Sequence, residues 1–204
     1  MSTQAVGGGT NLNVPNALTA LRLVLVPVFA WVLLAQGGAD PTLRYLSAGI
    51  FLFASATDYV DGALARRNNQ VTTFGKVADP IADKALTGVA LIGLSVLGEL
   101  PWWVTVVIIG REISVTVLRF VVLRDGVIPA SRGGKAKTVS QMIAIVLYIL
   151  PLTGWMVTVS VAVMGLAVVL TVVTGIDYAH RALAVRRRAS LHREAFGPDY
   201  REPR

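Results

Sequence analysis

The 204-residue chain has no cysteine, which excludes disulfides, thiol nucleophiles and cysteine-held zinc or iron–sulfur centres. Charge is scarce: 15% of residues are Asp, Glu, Lys or Arg, where soluble domains carry about 25%. No basic patch is interleaved with aromatic residues, so the excess of nineteen Lys and Arg over twelve Asp and Glu does not read as a nucleic-acid surface. There is also no internal repeat and no separate polar domain. What the chain has instead is apolar sequence, 54% hydrophobic residues and a mean hydropathy of +0.62. A soluble globular enzyme is a poor fit; an anionic membrane face is the better partner for the net charge of +7.

Six apolar stretches cover residues 14–35, 45–65, 77–97, 102–123, 139–152 and 156–178. Five match the ~20 residues a helix needs to cross the hydrocarbon core. The fifth is shorter and is expected to recruit Lys137 and Thr138 at one end and residues 153–155 at the other. The first run is too long for a cleaved signal peptide and lacks an A-x-A-like site. The expected class is therefore all-α and integral to the membrane, with six transmembrane helices. Residues 1–13 read as a flexible tail, 14–181 as the membrane domain and 182–204 as a basic tail. One set of segment ends holds Arg66, Arg67, Lys76, Arg124, Arg132, Lys135 and Lys137, with a further group of arginines beyond residue 180; the opposite loops hold Arg44, Asp40 and Glu99. By the positive-inside rule the first set, and both termini, face the cytoplasm.

The ionisable residues inside these stretches carry the chemistry. Asp58 and Asp61 lie in the second, Asp79, Asp83 and Lys84 in the third, and Arg111, Glu112 and Arg119 in the fourth. Each costs roughly 2.5–3.5 kcal/mol at the centre of a membrane helix, so four idle carboxylates would strain a marginally stable protein. Asp58 and Asp61 are i,i+3, and Asp79 and Asp83 are i,i+4, so each pair shares a helix face. With residues 66–75 as the connection, both pairs sit about 10 Å or less from the cytoplasmic helix ends and can converge in one cavity. Carboxylates without histidine or cysteine suit Mg²⁺ or Mn²⁺, ions that also bind substrate phosphates. Spacing alone leaves open a proton relay or a charge network with Lys84 and Arg111. Gly62 and Gly75 are places where a ligand can approach the backbone, or packing and capping positions.

Written out, the stretch reads Asp58-x2-Asp61-Gly62-x2-Ala65-Arg66-x8-Gly75-x3-Asp79-x3-Asp83. It resembles, position for position, the signature of the CDP-alcohol phosphatidyltransferase family. Looser similarity to one branch of that family extends over Asn13 to Arg22, Arg111-Glu112-Ile113 with Leu118-Arg119, Gly134-Lys135-Ala136-Lys137-Thr138 with Gln141, and Thr174-Gly175-Ile176-Asp177-Tyr178. The resemblance implies a six-helix membrane enzyme, a homodimer, preceded by a short interfacial segment. It implies attack of an alcohol on the β-phosphorus of CDP-diacylglycerol with release of CMP, the acceptor in this branch being sn-glycerol 3-phosphate.

On that resemblance Asp58, Asp61, Asp79 and Asp83 hold the divalent ions, two of them, and Asp83 is also the proposed general base. Gly62, Ala65, Arg66 and Gly75, together with Asp61, form the CDP-diacylglycerol cradle, and Asn16 and Thr19, with Arg22, border it from the first helix. Helix capping is an equal reading for Asn16 and Thr19. The acceptor phosphate requires cations, and Arg111, Lys135, Lys137 and Arg119 are the candidates. Helix geometry sets Arg111 and Arg119 about 80° apart, Glu112 is expected to pair with a nearby cation, and Asp177 and Arg181 read as an i,i+4 ion pair. Other acceptors within the family (phosphatidylglycerol, inositol phosphate or serine) and, more distantly, a cation transporter are the competing readings.

Overall fold

The computed structural model describes the backbone of residues 14–68, 73–122 and 132–196, and the side chains of 17–57, 84–119, 121–122 and 133–186. Among the described residues the regular elements are all helical: α1 (Val14–Leu34), α2 (Pro41–Asn68), α3 (Thr73–Val96), α4 (Trp102–Val122), α5 (Arg132–Ile149) and α6 (Trp155–Phe196), with a 3₁₀ turn at Ala35–Gly38. Each apolar stretch is the body of one helix. Serine and threonine hydroxyls along them donate back to the carbonyl one turn earlier, as Ser47 to Leu43 (2.8 Å), Thr116 to Glu112 (2.7 Å) and Thr138 to Gly134 (3.0 Å). These polar groups are therefore satisfied within their own helices.

Backbone contacts group α1–α3 into one compact unit and α4, α6 and most of α5 into a second. In the first unit the chain leaves α1 through left-handed residues, Gln36 (φ 53°), Gly37 (φ 63°) and Gly38 (φ 71°). It enters α2 at Pro41, with the Asp40 carboxylate accepting from the backbone N–H of Thr42 (2.7 Å) and Leu43 (3.4 Å). An aspartate N-cap followed by proline is a strong helix start. The resulting hairpin stacks Phe29 of α1 on Phe51 of α2, centroids 5.8 Å apart. On α3, a Cβ at Gly93 would fall 2.7 Å from Leu33 Cδ2, and one at Gly38 would fall 2.8 Å from Leu97 Cδ1. The C-terminal ends of α1 and α3 thus meet, and the two helices run in the same direction.

In the second unit α4 packs along α6. Val104 and Ile108 on α4 and Met164 and Ala167 on α6 are buried. Arg111 lies beside Thr174 and Gly175, and Arg119 beside Tyr178. Both contacts advance together, so α4 and α6 are parallel.

Several expected boundaries move. α2 continues through Asn68 and α3 starts at Thr73, so the connection is residues 69–72 rather than 66–75, and Arg66 and Gly75 are helical. α5 starts at Arg132, earlier than expected, and ends at Ile149. It does not recruit residues 153–155, because Pro151 disfavours helix at the residue before it and Gly154 turns left-handed at φ 62°. α6 runs on to Phe196, well beyond the apolar stretch that ends at Tyr178. The common reason is that hydropathy locates the apolar part of a helix, whereas Arg, Ala and Leu are strong helix formers on either side of that limit. Residues 1–13, the expected flexible tail and interfacial segment, and 197–204 lie outside the described residues.

Among the described residues, two helical stretches are long and apolar enough by composition to cross a membrane, Ala17–Gly38 and Trp155–Arg186, with a shorter one at Lys84–Val96. The apolar run of α4 is interrupted by Arg111, Glu112 and Arg119. All four tryptophans are more than half exposed, Trp31 (73%) near the end of α1, Trp102 (54%) and Trp103 (61%) at the start of α4 and Trp155 (74%) at the start of α6.

Candidate functional site

Asp58 and Asp61 lie on α2, and Asp79 and Asp83 on α3. Both pairs are therefore in helical register, and the i,i+3 and i,i+4 spacings do put each pair on one face. The two helices belong to the same unit and contact one another. The donor set, four carboxylates on two neighbouring helices, has the chemistry of a hard divalent-cation site. The side chains of these aspartates, and of Asn16, Gly62, Ala65, Arg66 and Gly75, lie outside the described residues. Among the described side chains no cluster of three or more potential metal ligands occurs.

α1 contributes two described candidates to the same unit. Thr19 (1% exposed) and Arg22 (0%) are i,i+3 on one buried face, and each has a partner within the chain. Thr19 is six residues into a helix that opens at Val14, so it is not a cap, and the capping reading is withdrawn for it. An arginine completely enclosed in an otherwise apolar helix is costly unless paired.

The second unit holds the cationic candidates, and here the side chains define a compact cluster. Glu112 Oε1 accepts from Arg111 Nη1 at 2.9 Å and from Lys137 Nζ at 2.5 Å. Arg111 Nη2 donates to Thr174 Oγ1 at 3.0 Å, and that hydroxyl donates onward to the Leu170 carbonyl at 2.6 Å. The side chains of Arg111 and Lys137 are 17% and 7% exposed, that of Glu112 26%. α4, α5 and α6 each supply one arm of this arrangement.

Gly175 explains why the arms fit. A Cβ there would lie 3.0 Å from Arg111 Cγ and 3.4 Å from Nε, so the arginine stem runs across α6 through the space the glycine leaves. Two cations around one carboxylate leave a local charge of +1, which suits an anionic ligand better than an inert structural pair. The sequence anticipates a cation partner for Glu112 but not two, and it does not anticipate that Thr174 and Gly175 orient and admit Arg111. The available signal is a threonine–glycine pair within an apolar helix.

The other two cationic candidates stand apart from the cluster. Lys135 is exposed, about 200° around α5 from Lys137. Arg119 is also exposed, its guanidinium carbon 5.9 Å from the centroid of the Tyr178 ring, a cation–π contact. Asp177 and Arg181 form the anticipated pair (3.0 Å), half-exposed on both sides, and such pairs contribute little.

Comparison with known proteins places these observations. The profile of the family described as CDP-alcohol phosphatidyltransferase matches residues 12–173. A probable phosphatidylglycerophosphate synthase of Mycobacterium tuberculosis is 52% identical over 191 residues, 92% of this chain and 91% of the relative. The CDP-diacylglycerol–glycerol-3-phosphate 3-phosphatidyltransferases of Bacillus subtilis and Shigella flexneri are 40% and 36% identical, covering 81% and 84% of this chain and 93% and 96% of their own lengths. The match spans both units and includes the aspartate helices, the Arg111–Glu112 pair and Lys137. The chain belongs to the CDP-alcohol phosphatidyltransferase family.

Proposed function

We propose that this chain transfers the phosphatidyl group of CDP-diacylglycerol to sn-glycerol 3-phosphate, giving phosphatidylglycerophosphate and CMP in phospholipid biosynthesis. The observation that carries the acceptor assignment is the Arg111–Glu112–Lys137 cluster, a largely buried site of net positive charge in a family whose reaction needs an alcohol. A phosphate monoester on the acceptor is the group such a site suits. The names of the relatives point to the same acceptor.

In the reaction, the 1-hydroxyl oxygen of the acceptor attacks the β-phosphorus. A new P–O bond forms as the P–O bond to CMP breaks, and the hydroxyl proton passes to the Asp83 carboxylate. A base in reach of that hydroxyl contributes roughly 10²–10⁴-fold. Divalent cations, Mg²⁺ or Mn²⁺, held by Asp58, Asp61, Asp79 and Asp83 supply charge neutralisation at the diphosphate when bound. Gly62, Ala65, Arg66 and Gly75 hold the nucleotide, with Asn16, Thr19 and Arg22 alongside on α1. Arg111 and Lys137 hold and orient the acceptor phosphate, with Lys135 and Arg119 as outlying positive charge.

We also propose that all six helices span the cell membrane, with both termini and the site on the cytoplasmic side, and that the protein is a homodimer. The Lys/Arg asymmetry supports the orientation. The parallel pairs α1/α3 and α4/α6 agree with strict alternation of direction, and exposed tryptophans near helix ends are the pattern of a membrane–water interface. The test of function is an assay of purified protein with CDP-diacylglycerol and a panel of acceptors, following CMP release. Release with glycerol 3-phosphate, and little with glycerol, inositol phosphate, serine or phosphatidylglycerol, is the expected result; preference for another acceptor overturns the assignment.

A further inference from the structure

Gln141 is a glutamine in the apolar body of α5, 4% exposed, and its Oε1 is buried without a hydrogen-bond partner among the described residues. Leucine would fill such a position without leaving a buried acceptor unmet, and unsatisfied buried polar atoms are uncommon enough to demand a reason. The residue lies one helical turn beyond Lys137, on the same face. Helical Cα–Cβ bonds tilt toward the N-terminus, so the Gln141 stem starts out toward the turn that carries Lys137, whose ammonium meets Glu112.

The chemistry of that neighbourhood is one-sided. Arg111 and Lys137 are donors only and satisfy phosphate oxygens. A polyol phosphate also brings hydroxyl donors, and these need an acceptor. The reacting hydroxyl must surrender its proton, which a carboxamide cannot take. A hydroxyl that keeps its proton can donate to Gln141 Oε1.

We infer that Gln141 reads the non-reacting hydroxyl of the polyol phosphate acceptor, and so is a specificity-determining residue; the inference rests on the reading that Arg111 and Lys137 hold the acceptor phosphate. The experiment compares sn-glycerol 3-phosphate with 3-hydroxypropyl phosphate, which lacks the 2-hydroxyl, in the purified full-length protein at saturating CDP-diacylglycerol. The parent protein should favour glycerol 3-phosphate in kcat/KM by about tenfold, the worth of one net hydrogen bond. In Gln141→Leu that preference should disappear through loss of the glycerol 3-phosphate rate, with the rate on 3-hydroxypropyl phosphate and the KM for CDP-diacylglycerol unchanged. Its thermal midpoint should not fall, because an unmet acceptor has been removed. Gln141→Asn, which keeps the amide but withdraws it by one methylene, should retain part of the preference and serves if the leucine variant does not fold.

A leucine variant that keeps the parent's preference, or that loses both acceptors equally together with stability, overturns the inference and makes Gln141 a structural residue. Lys137→Gln separates this from the underlying reading. It should weaken both acceptors alike, since both carry the phosphate. If it weakens neither, the phosphate assignment itself fails, whatever Gln141 does.

Discussion

The two units of this chain handle charge within apolar helices in different ways. In α1–α3 the four aspartates of the signature stand at helical spacing on adjacent helices, a donor set of one sign, with Arg66 as the signature's one cation. In α4–α6 they are cations of mixed origin tied together by Glu112, with Thr174 and Gly175 fixing the orientation of Arg111. The first pattern is a donor set whose chemistry suits a hard divalent cation. The second is already compensated within the protein, down to a residue of +1 that a phosphate can use. An internally paired cluster can stay in place before a ligand arrives, and that preorganisation favours recognition.

That contrast can be broken most severely on the acidic side. Asp58→Asn or Asp79→Asn should each reduce turnover by about a thousandfold or more, because metal-assisted charge neutralisation is worth several kcal/mol. Exhaustive chelation with EDTA should do the same to the unaltered protein, with recovery on adding Mg²⁺ or Mn²⁺. Turnover that survives chelation removes the metal site from the reading.

On the cationic side the expected losses are smaller and confined to one substrate. Arg111→Gln or Lys137→Gln removes a charge-assisted hydrogen bond, worth roughly 1.5–3 kcal/mol, which is about 10–150-fold in glycerol 3-phosphate kcat/KM. The KM for CDP-diacylglycerol should hardly change. Lys135→Gln, at an exposed position, should cost far less than Lys137→Gln. Equal damage to both substrates would move these cations to the donor side of the reaction and erase the division between the units.

The mildest test touches no charged group. Gly175→Ala adds a methyl where Arg111 passes, at a separation of 3.0 Å from Cγ, so the arginine stem must shift by a few tenths of an ångström. An overpacked contact costs typically about 1–3 kcal/mol, and a displaced Arg111 should raise the glycerol 3-phosphate KM by several-fold. Gly165→Ala on the same helix, where an added Cβ meets nothing within 4 Å, is the control and should behave as the parent. If both alanines act alike, Gly175 is an ordinary helix-packing glycine.

The sequence by itself determined the helices and the acidic set. Helix periodicity is local, so i,i+3 and i,i+4 spacings alone put Asp58 with Asp61 and Asp79 with Asp83 on single faces, and long apolar runs marked all six helix bodies. It did not determine where those helices end, because Arg66 and Arg67 and the Arg-, Ala- and Leu-rich residues after Tyr178 are good helix formers, and local hydrogen bonding continues past the limit of the long apolar run. Nor did it single out the cluster of the second unit. Arg111, Lys135, Lys137 and Arg119 are alike as positive charges in a list, and the choice of Arg111 and Lys137 as the pair around Glu112, with Lys135 turned away and Arg119 against Tyr178, follows from the rotation and separation of three helices. Those quantities are set by side-chain packing between segments as many as 63 positions apart, as in the Arg111–Thr174 contact, and no local rule carries information over that distance.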